Sequence, residues 1–126
     1  MKLLIDTQLL LWAASDTLPN EAIPYFTNKK NKLFFSSASI WEVIIKRGLN
    51  RQNFQVDPTM FYGGLLNNDY TELEITSNHA LLVAHLPLIH KDPFDRIMIA
   101  QAKAEGMMLL SADEIVSKYS PVIYVS

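Results

Sequence analysis

Pro93-Phe-Asp-Arg-Ile-Met-Ile-Ala-Gln-Ala-Lys-Ala-Glu105-Gly106-Met107-Met-Leu-Leu110 couples a helix to a strand within one stretch. Asp92 stands at the N-cap position. Proline occupies the first helical position, where an N–H is not needed, and Gly106 follows the last turn. The short apolar run that follows is too brief for a helix and reads as a buried strand, Met107–Leu110. Working outward, the alternation recurs. Leu3–Ile5 reads as a strand and Thr7–Ala14 as a largely buried helix. A break at Ser15–Pro19 precedes a helix over Pro19–Asn28, a polar loop to Lys32 and a strand at Leu33–Ser36. A helix over Ser39–Arg47 opens with a Ser39-x-x-Glu42 capping box and stops at Gly48. Beyond the polar connection Gly48–Asp57, the pattern predicts a weak helix at Pro58–Asn68 and a half-exposed strand at Tyr70–Ile75. A helix at Ser77–Leu86, a short helix at Asp113–Tyr119 and a last strand at Val122–Val125 complete it. Apolar strands alternating with helices predict an α/β domain whose parallel sheet is covered on both faces.

The 126 residues suffice for one domain with a real core. With 49% hydrophobic and 19% charged residues the chain is globular in composition. A net charge of −2 excludes a protein that coats nucleic acid indiscriminately, so a polyanion must meet a local basic patch. The absence of cysteine excludes disulfides, zinc–thiolate centres and thiol catalysis. Lys2 and the leucines after it are interrupted by Asp6, Thr7 and Gln8, and the apolar run Leu9–Ala14 is too short for a secretory signal. No stretch reaches the ~18 apolar residues of a membrane span. The expectation is a soluble, cytoplasmic protein.

Four acids fall where such a sheet would gather them. Asp6 and Asp113 follow apolar strands, while Glu42 and Asp95 lie one turn into helices. Acids are favoured at helix starts by about 0.3–1 kcal/mol, so each one alone is explained by capping. Their conjunction at the ends of apolar strands is not. Two carboxylates about 4 Å apart repel by roughly 4 kcal/mol at an effective dielectric near 20. A divalent cation or a proton relieves that repulsion, and strand ends of an α/β sheet are where hard cations are held.

Four stretches carry a family resemblance: Leu3-Leu-Ile-Asp6-Thr7, Ser39-Ile-Trp-Glu42-Val-Ile-Ile-Lys46, His90-Lys-Asp92-Pro-Phe-Asp95-Arg96-Ile-Met-Ile-Ala100 and Leu109-Leu-Ser-Ala-Asp113. In that order the chain resembles PIN-domain proteins, specifically the VapC-type toxin ribonucleases of bacterial toxin–antitoxin pairs. The resemblance implies one PIN-like domain over residues 1–126, a three-layer α/β/α sandwich around a mostly parallel sheet of four to five strands. It also implies an endoribonuclease that hydrolyses RNA phosphodiesters, with Mg²⁺ or Mn²⁺ held by Asp6, Asp95, Glu42 and Asp113. The partners it implies are a VapB-like antitoxin and a second copy of the chain. The commoner pattern sets the third acid one residue closer to the Ile-Ala pair than Asp95 stands, which leaves Asp92 as a rival for that place, although its N-cap position already accounts for it. Ala112 replaces the basic residue that many relatives carry before the fourth acid.

Substrate contacts are expected from Thr7, Lys46 and Arg96. Lys46, four residues after Glu42, equally predicts an intrahelical ion pair. Lys29, Lys30, Lys32, Arg47, Arg51 and Lys91 complete the basic candidates, and His90 is a candidate substrate contact. Trp12 and Trp41 read as core or interface aromatics. Phe54, Phe61 and Tyr62 read as core, with a partner groove as the other role. Two alternative functions remain: a catalytically inactive or regulatory α/β binding domain using the same acids, and a PIN nuclease with an RNA-processing role. A phospho-acceptor domain fits less well, because a single Asp6 is followed by Thr7 and no late strand ends in lysine.

Overall fold

The computed structural model describes residues 1–49 and 56–126. Most of the Gly48–Asp57 connection, with Arg51 and Phe54, lies outside the described residues. Five strands form one sheet: β1 (Lys2–Ile5), β2 (Lys32–Ser36), β3 (Thr71–Leu73), β4 (Met108–Ser111) and β5 (Val122–Tyr124). Their order is β3-β2-β1-β4-β5, and every pairing is parallel. The helices are α1 (Thr7–Ala14), α2 (Ile23–Thr27), α3 (Ser37–Gly48), α4 (Pro58–Asn67), α5 (Ser77–Val83) and α6 (Pro93–Glu105), with a 3-10 turn at Val116–Lys118.

The strand alternation divides the core. Leu3, Ile5, Phe35 and Leu110 pack on one face with Leu9, Val43, Phe61 and Leu65, from α1, α3 and α4. Leu4, Phe34 and Leu109 pack on the other with Met98, Ile99 and Ala102 of α6 and Leu86 beyond α5. Three layers result because β1 and β4 carry consecutive apolar residues, Leu3–Ile5 and Met108–Leu110, that bury both faces of the sheet. The helix α6 spans its expected residues, and Gly106 ends it at φ 67°, in the left-handed region that a side chain resists.

Several boundaries differ from expectation. Ser36, not Ser39, caps α3, its hydroxyl accepting from the Ala38 N–H, so Glu42 sits in the second turn and is no part of a capping box. The helix α2 keeps only its last half, beginning beside Pro24, and α5 ends at Val83. The expected helix after β4 contracts to the 3-10 turn, for which Asp113 accepts from the N–H groups of Ile115 and Val116. The helix α1 buries Thr7, Leu9 and Leu10, while Leu11, Trp12 and Ala13 are half-buried.

Tyr119 ties down the segment between α5 and α6. Its hydroxyl donates to Pro87 O (2.7 Å) and accepts from the N–H groups of His90 (2.8 Å) and Ile89 (3.0 Å). Arg96 completes the tie, donating to the carbonyls of Val83, Pro87 and His90 and to the Tyr119 hydroxyl. Tyr119→Phe keeps the ring and takes the acceptor away from the N–H groups of Ile89 and His90. It is expected to lower the unfolding free energy by about 1–3 kcal/mol in urea titrations, and an unchanged midpoint would contradict the role of the hydroxyl.

Candidate metal centre

The central strand β1 sends its chain toward β2 and β3 on one side, while β4 and β5 lie on the other. After β1 the chain enters α1 on one face. After β4 it turns through Val116 and Tyr119, which pack on the opposite face. The two connections part at the carboxyl ends of β1 and β4, which is where an open parallel sheet leaves a crevice. A pocket of about 440 Å³ occupies that position, and Asp6, Thr7, Glu42, Lys46, Asp92, Asp95 and Asp113 line it. The four acids singled out in the sequence therefore share one cavity.

Asp6 extends β1 by one residue, its N–H donating to Leu110 O, and caps α1 at the same time. One carboxylate oxygen accepts from the Leu9 N–H (2.9 Å) and the other from the Ala112 N–H (3.2 Å). Burial pushes its pKa up, against the Ser111 hydroxyl and these two N–H groups, and the charge of Glu42 adds to the rise.

Glu42 is buried and doubly held. Lys46 Nζ lies 3.1 Å from Oε2, and Thr7 Oγ1 donates to Oε1 at 2.7 Å. Ser39 Oγ lies 2.8 Å from Thr7 Oγ1. Thr7 has a single proton, given to Glu42, so Ser39 is the donor to Thr7. Lys46 thus forms the expected intrahelical pair while standing on the pocket wall.

Asp95 lies against His90, with Nε2 to Oδ2 at 2.8 Å. Its pKa is raised to about 7, chiefly by burial, then by the charge of Asp92, with Glu42 adding and His90 opposing. Asp92 Oδ1 accepts from the N–H groups of Phe94 (2.8 Å) and Asp95 (3.3 Å), which makes it the N-cap of α6. Asp113 directs Oδ2 toward His90 Nε2 at 3.8 Å. Donor atoms of His90, Asp95 and Asp113 all lie within 4.8 Å of one another. Hard carboxylate oxygens around a crowded cavity are a donor set that suits a divalent cation.

Arg96 is turned to the tie of Tyr119 and carbonyl oxygens, and it lines a different, apolar groove with Trp41, Phe94 and Ile97. Its guanidinium bonds to these carbonyls and to the Tyr119 hydroxyl, and Arg96 is not among the residues that line the acidic pocket. Trp41 is 59% exposed and meets Phe94 edge-on at 5.2 Å, so it is no core residue. Phe61 is core, and Tyr62 donates to Glu72. Sequence reasoning missed Ser39, read as a cap. The signal available was its place one turn before Glu42 on the same face. It also treated His90 apart from the acids. His79, by contrast, is spent between α5 and α6: Nδ1 accepts from the Thr76 N–H, which leaves Nε2 to donate to Glu105.

The PIN domain family model matches residues 3–120. No curated protein matches the chain. Among solved structures, VapBC2 from Rickettsia felis bound to a promoter DNA fragment is similar at 13% identity and TM-score 0.70, covering 99% of this chain and 98% of that chain. DNA-bound VapBC from Salmonella typhimurium is similar at 15% identity and TM-score 0.69, covering 100% and 97%. A toxin–antitoxin complex from Klebsiella pneumoniae is similar at 18% identity and TM-score 0.67, covering 95% and 94%.

A proton on Asp95 is held more tightly in the folded chain than in the unfolded one, where the ordinary value is 3.8. Its contribution to metal-free stability is therefore full below pH 4 and is lost as pH rises through about 7. In EDTA, Asp95→Asn is expected to melt above the wild type at pH 8, with the gap narrowing as pH falls and closing below about pH 4. A gap that does not change with pH would place the Asp95 carboxyl in water.

Proposed function

The chain belongs to the PIN-domain family, and from that premise we propose that it is a VapC-type toxin, a Mg²⁺- or Mn²⁺-dependent endoribonuclease held in check by a VapB-like antitoxin. The observation that carries this reading is the single pocket lined by Asp6, Glu42, Asp95 and Asp113 at the carboxyl ends of β1 and β4. Asp95 and Asp113 would hold the ion, with Asp6 using the lone pairs its N–H partners leave and Glu42 acting through water. A bound cation supplies a water of lowered pKa for attack on phosphorus and neutralises charge on the phosphate oxygens.

The rest of the work falls to the chain. Lys46 pairs with the Glu42 carboxylate and sets one positive charge on a wall otherwise acidic, where a phosphate must approach. Thr7 fixes the direction of Glu42, and Ser39 fixes Thr7. The Asp6 N-cap keeps α1 and β4 at a constant separation through Leu9 and Ala112.

The antitoxin assignment draws on the neighbours, several of which are VapBC or toxin–antitoxin complexes. Beside the acidic pocket runs an apolar groove of about 470 Å³, lined by Trp41, Ile75, Val83, Phe94 and Ile97, a suitable bed for an apolar partner segment. Exposed Ile44 and Ile45 on α3 offer further apolar surface, consistent with a homodimer. No helix among the described residues is long and apolar enough to cross a membrane. The same reading puts the protein in the cytoplasm with its RNA.

Purified protein incubated with total cellular RNA is expected to cleave it with Mn²⁺ and not with EDTA. Asp95→Asn should fall to background. Asp92→Ala should cut, while losing about 1 kcal/mol of stability with its cap. Absence of cleavage, joined to a melting temperature that Mn²⁺ leaves unmoved, would instead favour a binding domain.

A further inference from the structure

We propose that His90 is itself a ligand of the ion, bonded through Nε2, and that the centre therefore favours a nitrogen-accepting ion of the Mn²⁺ class over Mg²⁺. This rests on the metal-centre reading above and adds a residue that the four-acid pattern lacks. The imidazole is only 18% exposed and points at the two acids, Nε2 lying 2.8 Å from Asp95 Oδ2 and 3.8 Å from Asp113 Oδ2. Adjacent ligands of a six-coordinate ion with bonds of about 2.1 Å stand about 3 Å apart; the His90–Asp95 pair already has that spacing, and the Asp113 donor, within 4.8 Å of both, can join it by a small side-chain shift.

The position of His90 is not left to its side chain. Its N–H is fixed on the Tyr119 hydroxyl at 2.8 Å and its carbonyl accepts from Arg96 at 3.3 Å. Both anchors are in turn fastened to Pro87 O. A residue pinned on both sides of its Cα brings its imidazole to the acids with little freedom left to lose, the preorganisation a ligand needs.

The chemical consequence follows from ligand type. Mg²⁺ takes oxygens and keeps several waters, whereas imidazole suits the transition ions. One nitrogen beside two carboxylates raises affinity for Mn²⁺ and its neighbours and does little for Mg²⁺. The competing role for His90, donation of an Nε2 proton to Asp95, excludes metal bonding at the same nitrogen.

The test is pulsed EPR on the full chain labelled with ¹⁵N-histidine and loaded with Mn²⁺, beside His90→Gln and, as a control, His85→Gln at an exposed histidine just after α5. A directly bonded ¹⁵N coupling is expected in the wild type and in His85→Gln, and not in His90→Gln. Calorimetry should show Mn²⁺ binding weakened by about 10–100-fold in His90→Gln. Mg²⁺ binding should change by only about twofold. Mn²⁺ bound to the wild type without nitrogen coupling would overturn the role of His90 and leave the carboxylate centre standing. Failure of the wild type to bind Mn²⁺ at all would overturn both. The wild-type spectrum decides the matter even if the variant does not fold.

Discussion

Carboxylates crowded away from water set the terms for this molecule. Asp6 and Glu42 are buried, and Asp95 is largely so. Every one of them carries a partner that reduces the cost: backbone N–H groups for Asp6, Lys46 and Thr7 for Glu42, His90 for Asp95. The cost is still not removed, as the upward displacement of the Asp6 and Asp95 pKa values records. A fold that only needed stability would place apolar residues there, since a well-packed apolar cluster generally does as well as a buried charged one. A proton relieves such repulsion at low pH, and under the proposed function a divalent cation would relieve it otherwise.

The sheet order turns that local cost into a site. With β1 central and every strand parallel, the loops after β1 and β4 leave toward opposite faces and cannot close over one another. Glu42 reaches the gap from α3 and Asp95 from α6, helices whose other residues Val43 and Met98 anchor them in opposite core layers. The acids meet because the two layers are separately packed against one rigid sheet. Ser39 links the layers directly, its hydroxyl touching Thr7 on one side and the Met98 sulfur on the other.

Much of this was legible in the residues. Strands of unbroken apolar character announced a sheet buried on both faces, and Asp92-Pro93 with Gly106 fixed α6 at both ends. What depended on tertiary pairing was not legible. Ser39 reads as a cap because Ser-x-x-Glu is a capping box, yet the register of β2 places Ser36 at the cap and turns Ser39 inward. Arg96 reads as a substrate contact because it follows Asp95, but one residue along a helix is a rotation of about 100°, which carries it out of the pocket. His90 lies outside α6, so helical periodicity says nothing of where it points. Tyr119, distant in sequence, decides that.

Capping does not use up the acids that do it. Asp6 caps α1 with one oxygen and binds the Ala112 N–H with the other, yet each oxygen of a carboxylate has a second lone pair. The two bonds fix the carboxylate plane of Asp6 on the pocket wall and leave a lone pair on each oxygen. Asp113 repeats the device, one oxygen holding the turn at Ile115 and Val116 while the other faces His90. Helix and turn starts then serve as mounts for the acids. A carboxylate held this way loses little freedom on meeting a cation, and its backbone N–H partners offset its charge until one arrives.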